Sequence, residues 1–168
     1  MEMSGVILDE NHLRSLPQEE RLEKCIEILK NDSDESKRWD AVWLAGELAE
    51  SAGRNEEIFE KVADLMVWVL KNDDNGVVKH EACFQIAARN MRNKISALID
   101  SSLHDQSGLV KHEALEALGL MRAHECIEAI EKGLKDTNQD VKETAKFVIK
   151  RLNRLKNSKN DYIPSEVI

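Results

Sequence analysis

The sequence predicts an all-α solenoid, about four helical hairpins stacked in a right-handed superhelix, as a single domain over its 168 residues. Three observations carry this expectation. The pentapeptide Val-Lys-His-Glu-Ala occurs at 78–82 and again at 110–114, placing His80 and His112 32 residues apart, and a fixed period of this size marks stacked supersecondary units. The composition, 42% hydrophobic and 33% charged with two prolines and few aromatics, suits a mainly helical chain. Apolar residues recur at i, i+3 and i+4 through residues 21–157, broken by clusters of Asp, Asn, Ser and Gly.

Taken in order, residues 1–14 show no periodic pattern, and Ser15-Leu16-Pro17 followed by glutamates reads as a helix start. The first unit pairs 21–31 with 35–51 across Asp32-Ser33-Asp34, and the second pairs 58–72 with 77–91 across Asp73-Asp74-Asn75-Gly76. The third joins 94–104 to 109–123 across Asp105-Gln106-Ser107-Gly108, and the fourth joins 125–135 to 140–155 across Asp136-Thr137-Asn138-Gln139. Asx and Ser residues in these turns are suited to cap the second helices. Aligning those helices on Ala41, Ala82, Ala114 and Ala145 brings Trp39-Asp40, His80-Glu81, His112-Glu113 and Glu143-Thr144 into one register. The longer step from Trp39 to His80, 41 residues, places an extended helix end and loop around 51–57. In the tail after 157, Pro164 ends any helix, leaving Tyr162 and Ile163 disordered or docked on a partner.

Several function classes are disfavoured. Net charge −8 argues against a general nucleic-acid binder, and the one basic cluster, Lys142 to Lys159, reads as the solvated face of a terminal helix. No apolar run is long enough to span a membrane and no signal peptide is recognisable, so a cytoplasmic protein is expected. Cys25, Cys83 and Cys126 lack metal-site spacing and read as small buried thiols. No GxSxG, phosphate loop, dinucleotide fingerprint or HExxH occurs.

The His-Glu pairs remain. At 100° per residue, His112 falls about 160° from Ala114, nearly opposite the apolar arc of its helix, and Glu113 lies at the flank of that arc. His80 points the same way in register, so the two imidazoles are expected side by side on the concave surface lined by the second helices. Packed helices lie about 8–10 Å apart, within which two imidazoles can share an ion, and a carboxylate completes a two-histidine, one-carboxylate set. Such ligation suits non-haem Fe(II), with Mn or Zn as competitors. Against this stand two plainer readings: glutamates that complement a helix dipole, and solvated histidines copied by repeat duplication. His12, His104 and His124 fall outside the register and are left out of the site.

The segments 77–87 and 109–119, with their His-Glu pairs, resemble the HEAT-like repeat family that includes the phycobilisome lyases and, more closely, deoxyhypusine hydroxylase. The resemblance implies a di-iron centre that binds or activates dioxygen, in an oxygenase or hydroxylase. It also implies that His80, His112 and Glu113 ligate one iron, with Glu81 nearby to reach the other metal or the substrate. This chain carries two in-register His-Glu pairs, the third, His124-Glu125, falling outside the register, where that family has four, so it corresponds to one half of the hydroxylase. A homodimer with facing concave surfaces would restore the other half. The substrate, protein or small molecule, is not assigned. The alternative is a non-catalytic adaptor whose concave face grips a protein partner, with Trp39 as a candidate anchor.

Overall fold

The computed structural model describes residues 7–156, so the tail with Tyr162 and Ile163 lies outside the described residues. Its helices are α1 (Glu10–Ser15), α2 (Gln18–Asn31), α3 (Glu35–Ser51), α4 (Glu57–Asn72), α5 (Gly76–Ala88), α6 (Ile95–His104), α7 (Gly108–Leu120), α8 (Ile127–Lys132) and α9 (Gln139–Arg154). They form four hairpins, α2–α3, α4–α5, α6–α7 and α8–α9, and no strand occurs among the described residues. The first helices α2, α4, α6 and α8 pack in one layer and the second helices α3, α5, α7 and α9 in another. The chain is the all-α solenoid that its periodicity predicts. No helix among the described residues is long and apolar enough to cross a membrane.

One apolar cluster runs from Leu13 in α1 to Leu152 in α9. The aligned alanines Ala41, Ala82, Ala114 and Ala145 are all fully buried in it, which lets successive second helices approach closely. Cys25, Cys83 and Cys126 are free buried thiols, as their spacing suggests, and burial raises the pKa of each. Each second helix is capped from its own turn: Asp34 accepts from the Ser36 amide, Asn75 from Val77 and Val78, Ser107 from Val110, and Asn138 from Asp140 and Val141. Every cap removes one or two orphan amides from the helix start.

The units are also bolted to one another. Three residues before each aligned alanine, Arg38, Lys79 and Lys111 reach the first aspartate of the next turn: Arg38 Nε to Asp73 at 2.9 Å, Lys79 Nζ to Asp105 and Lys111 Nζ to Asp136 at 2.7 Å. Each of those aspartates also accepts the amide two residues on. A turn is thereby folded and registered against its neighbour by the same carboxylate.

Two elements differ from the sequence expectation. Residues 10–15 form α1, capped by Asp9, a helix too short for periodicity to announce itself. The first helix of the fourth unit is broken into a 3₁₀ turn at His124–Cys126, α8, and a second 3₁₀ turn at Gly133–Lys135. The second turn packs closely on α9: a Cβ on Gly133 would sit 2.9 Å from Cβ of Ala145. A 3₁₀ turn is a common way to finish a helix tightly.

Gly46 in α3 leaves the space that a side chain of α5 fills. A Cβ there would lie 2.0 Å from Oε1 of Gln85 in α5, and Gln85 is fully buried and held by hydrogen bonds. Alanine at an ordinary helix position would stabilise by about 1 kcal/mol, but here overpacking should reverse the sign, destabilising by about 1–3 kcal/mol in denaturant unfolding. Combining Gly46→Ala with Gln85→Ala should cost less than the two single losses together, because the second truncation opens the space that the first needs.

Candidate metal centre

His80 and Glu81 stand on the first turns of α5, and His112 and Glu113 at the same places on α7. Their helices are parallel neighbours in the second-helix layer, so the pairs lie on successive rungs of one face. Both imidazoles are half-buried and turned away from the apolar core, whereas Glu81 and Glu113 are only 6% and 9% exposed at its edge. This is the helical-face geometry expected from a 100° turn per residue.

The contacts run diagonally between rungs. His80 Nε2 lies 3.0 Å from Glu113 Oε2. His112 Nδ1 lies 2.5 Å from Thr144 Oγ1 on α9. His80 and His112 are close enough that the charge of His112, after burial itself, helps to lower the pKa of His80. Glu81 is engaged along its own helix instead, accepting from Gln85 Nε2 at 2.9 Å. Gln85 in turn accepts from Arg89 Nε at 3.2 Å, and Arg89 pairs with Glu50 of α3 at 2.9 Å. With Arg89 donating to its oxygen, the Gln85 amide must present its NH2 to Glu81.

Burial pushes the Glu113 carboxyl up to about 7, with the charges of Glu116 and Glu81 adding to it, and burial raises Glu81 as well. At 3.0 Å, His80 Nε2 and Glu113 Oε2 are within hydrogen-bond reach. A protonated Glu113 carboxyl can donate to an Nε2 lone pair, and an ionised one can accept from Nε2–H.

Imidazoles beside carboxylates, with every cysteine buried in the core, fit a divalent transition ion of nitrogen and oxygen preference. In kind, the donors His80, His112 and Glu113 match such an ion, while Glu81, the residue after His80, is engaged by Gln85. In arrangement, one chain provides a hydrogen-bonded pair plus an adjacent imidazole, and among the described residues no three His, Cys, Asp or Glu side chains converge closely enough to hold an ion. His12 and His104 are exposed elsewhere, on α1 and at the end of α6, and His124 lies in the 3₁₀ turn before α8.

Apolar side chains frame this polar line. Three residues before each histidine, Val77 and Leu109 are exposed, and Phe147 of α9 is 64% exposed. An open groove of about 450 Å³ between α7 and α9 is lined by Leu109, His112, Glu116, Thr144 and Phe147. A second groove, about 380 Å³ between α3 and α5, is lined by Trp39, Asp40, Val77 and Val78. Trp39 occupies the register place of the histidines, half-buried and stacked on Trp43 with ring centroids 6.2 Å apart. Sequence reasoning placed Thr144 in register with the glutamates but gave it no role, and it passed over Gln85. The alignment that exposed the His-Glu pairs held the signal for Thr144; nothing local marks Gln85.

The Glu113 shift has a measurable sign. A carboxyl whose folded pKa lies above its unfolded value of 4.5 contributes stability that is full below the unfolded pKa and lost as pH rises through about 7. His80, with its pKa lowered, acts oppositely: folding gains as pH rises toward the unfolded value of 6.5. Glu113→Gln removes only the first effect. In metal-free protein, the melting temperature of this variant relative to wild type should therefore climb between about pH 5 and pH 8, and a constant difference would contradict the assignment.

The HEAT-repeat pattern matches residues 63–150, the span carrying both in-register His-Glu pairs. Deoxyhypusine hydroxylase of Saccharomyces cerevisiae is 27% identical over 149 residues, which take in 86% of this chain and 46% of the relative. The Bos taurus deoxyhypusine hydroxylase is 33% identical over 89 residues, 51% of this chain and 29% of the relative. The chain thus spans less than half the length of the curated relatives it matches. Human deoxyhypusine hydroxylase in complex with glycerol shares the fold, with a TM-score of 0.69 at 22% identity over 91% of this chain and 53% of that one. By its repeats and by the span they cover, the chain belongs to the HEAT-repeat family.

Proposed function

We propose that the chain is a non-haem iron-binding HEAT-repeat protein of the oxygenase or hydroxylase class, with its centre completed by a second copy of itself. The observation that carries this reading is the in-register placement of His80, Glu113 and His112 on adjacent rungs, in a chain similar over 86% of its length to part of a hydroxylase. His80, His112 and Glu113 would hold the metal, and Glu81, its carboxyl fixed by Gln85, would face the second metal or the substrate. Iron so bound supplies dioxygen binding and activation; Mn or Zn could compete for the same donors. The chain's own part is to disfavour the charged form of His80 by burial and to surround the imidazoles with Val77, Leu109 and Phe147, which shed water when covered. Where the Glu113 carboxyl is protonated, below about pH 7, a cation bound by that carboxylate replaces its proton, so metal uptake should release a proton there and not at higher pH. A homodimer with these faces opposed would repeat each donor set about a twofold axis. No substrate is assigned, and cytoplasmic residence is the expectation.

The exposed apolar frame favours one second reading, an adaptor that grips a protein partner on the same face. The two separate on one experiment. Anaerobic Fe(II) addition should load about one iron per chain in a species of dimeric solution mass, followed by a spectral change on admitting oxygen. His80→Ala and His112→Ala should abolish uptake while leaving helical content intact. Wild-type protein that takes up no iron, or variants that load as wild type does, would overturn the metal reading.

A further inference from the structure

We propose that Thr144 is a positioning residue that selects the tautomer of His112 and so keeps its Nε2 available as a ligand; the inference rests on His112 being a donor in the centre described above. The reasoning begins with the hydroxyl. Thr144 Oγ1 donates its only proton to the Asp140 carbonyl one turn back, at 2.7 Å. It therefore can only accept at its second contact, the 2.5 Å approach of His112 Nδ1. Nδ1 must carry the hydrogen, and in the neutral ring the lone pair is then on Nε2. Thr144 is 5% exposed, so little water reaches it to offer an alternative partner.

The register explains why a threonine stands there. Along the stack, the residue in the histidine row of one unit meets the residue in the glutamate row of the next: His80 meets Glu113, and His112 meets Thr144. Glu113 engages the Nε2 of His80 and is itself a potential donor to metal. Thr144, in the equivalent place one rung on, engages Nδ1 with a short neutral oxygen, so the ring's other nitrogen, Nε2, is not the one it occupies. The fourth unit thus contributes orientation where the third contributes a carboxylate. Partners of this kind, hydrogen-bonded behind a metal-bound imidazole, fix its tautomer and ring direction.

The test uses the full chain labelled with ¹⁵N-histidine, first without metal. Wild type should show the His112 ring in the Nδ1–H form, Thr144→Ser should keep it, and Thr144→Val, which preserves shape but removes the acceptor, should shift it toward Nε2–H. With Co(II) as the probe, Thr144→Val should bind about 10–100-fold more weakly and Thr144→Ser near wild type. An Nε2–H ring in wild type would overturn the proposal without recourse to any variant, as would a Thr144→Val ring unchanged from wild type. If none of the proteins takes up Co(II), the function proposed above fails, and the metal-free ring spectra alone decide the role of Thr144.

Discussion

The contact between a basic side chain on one second helix and the turn aspartate of the next unit is the constraint on which the site depends. Lys79 on Asp105 and Lys111 on Asp136 are short, largely buried pairs. Each aspartate has already closed its own turn by accepting a backbone amide. Such a pair gives less net stability than its geometry suggests, because both charges lose water, but breaking it by removing one partner typically costs about 3–5 kcal/mol. Its effect is therefore on register: a slip of α7 against α5 would leave a buried ammonium or carboxylate unpaired. Since Lys79 immediately precedes His80, and Lys111 precedes His112, the residues that set the register are adjacent to those that use it.

What the register delivers is a polar line held where carboxylates are otherwise disfavoured. Burial raises both Glu81 and Glu113 and lowers His80, so the charged form of each is disfavoured at the edge of the core. Each is managed by a different neighbour: Glu81 by Gln85, Glu113 by His80, His112 by Thr144. Gly46 provides the space that lets Gln85 lie between α3 and α5. Perturbed titrating groups bordering a groove, with exposed apolar residues around them, are the arrangement in which binding and catalytic sites recur.

Most of the fold was legible because a repeat states its grammar several times. The four turns, their caps and the buried alanine row follow from aligning the chain with itself, and so does the outward placement of His80 and His112. Two kinds of feature were not legible. The short α1 and the 3₁₀ breaks flanking α8 arise from local caps and from the close approach of Gly133 to Ala145, which depend on packing and leave no period. The diagonal partners were hidden for another reason. Helical-face geometry says which way His112 points, but its meeting with Thr144 depends on the stagger between α7 and α9, and that offset is set by the Lys111–Asp136 pair. The role of Lys in each Val-Lys-His-Glu-Ala copy was passed over for the same reason: its partner is 25 or 26 residues away, in a neighbouring turn.

The central claim, that stack register presents His80, Glu113 and His112 as one donor set, is tested most directly by diffraction at the iron absorption edge from crystals grown anaerobically with Fe(II). The account predicts an anomalous peak beside His112 Nε2, with the His80–Glu113 contact opened around it and a second copy's donors facing it. Crystals in which that contact stays closed, with no peak on this face or with iron bound elsewhere, would contradict it.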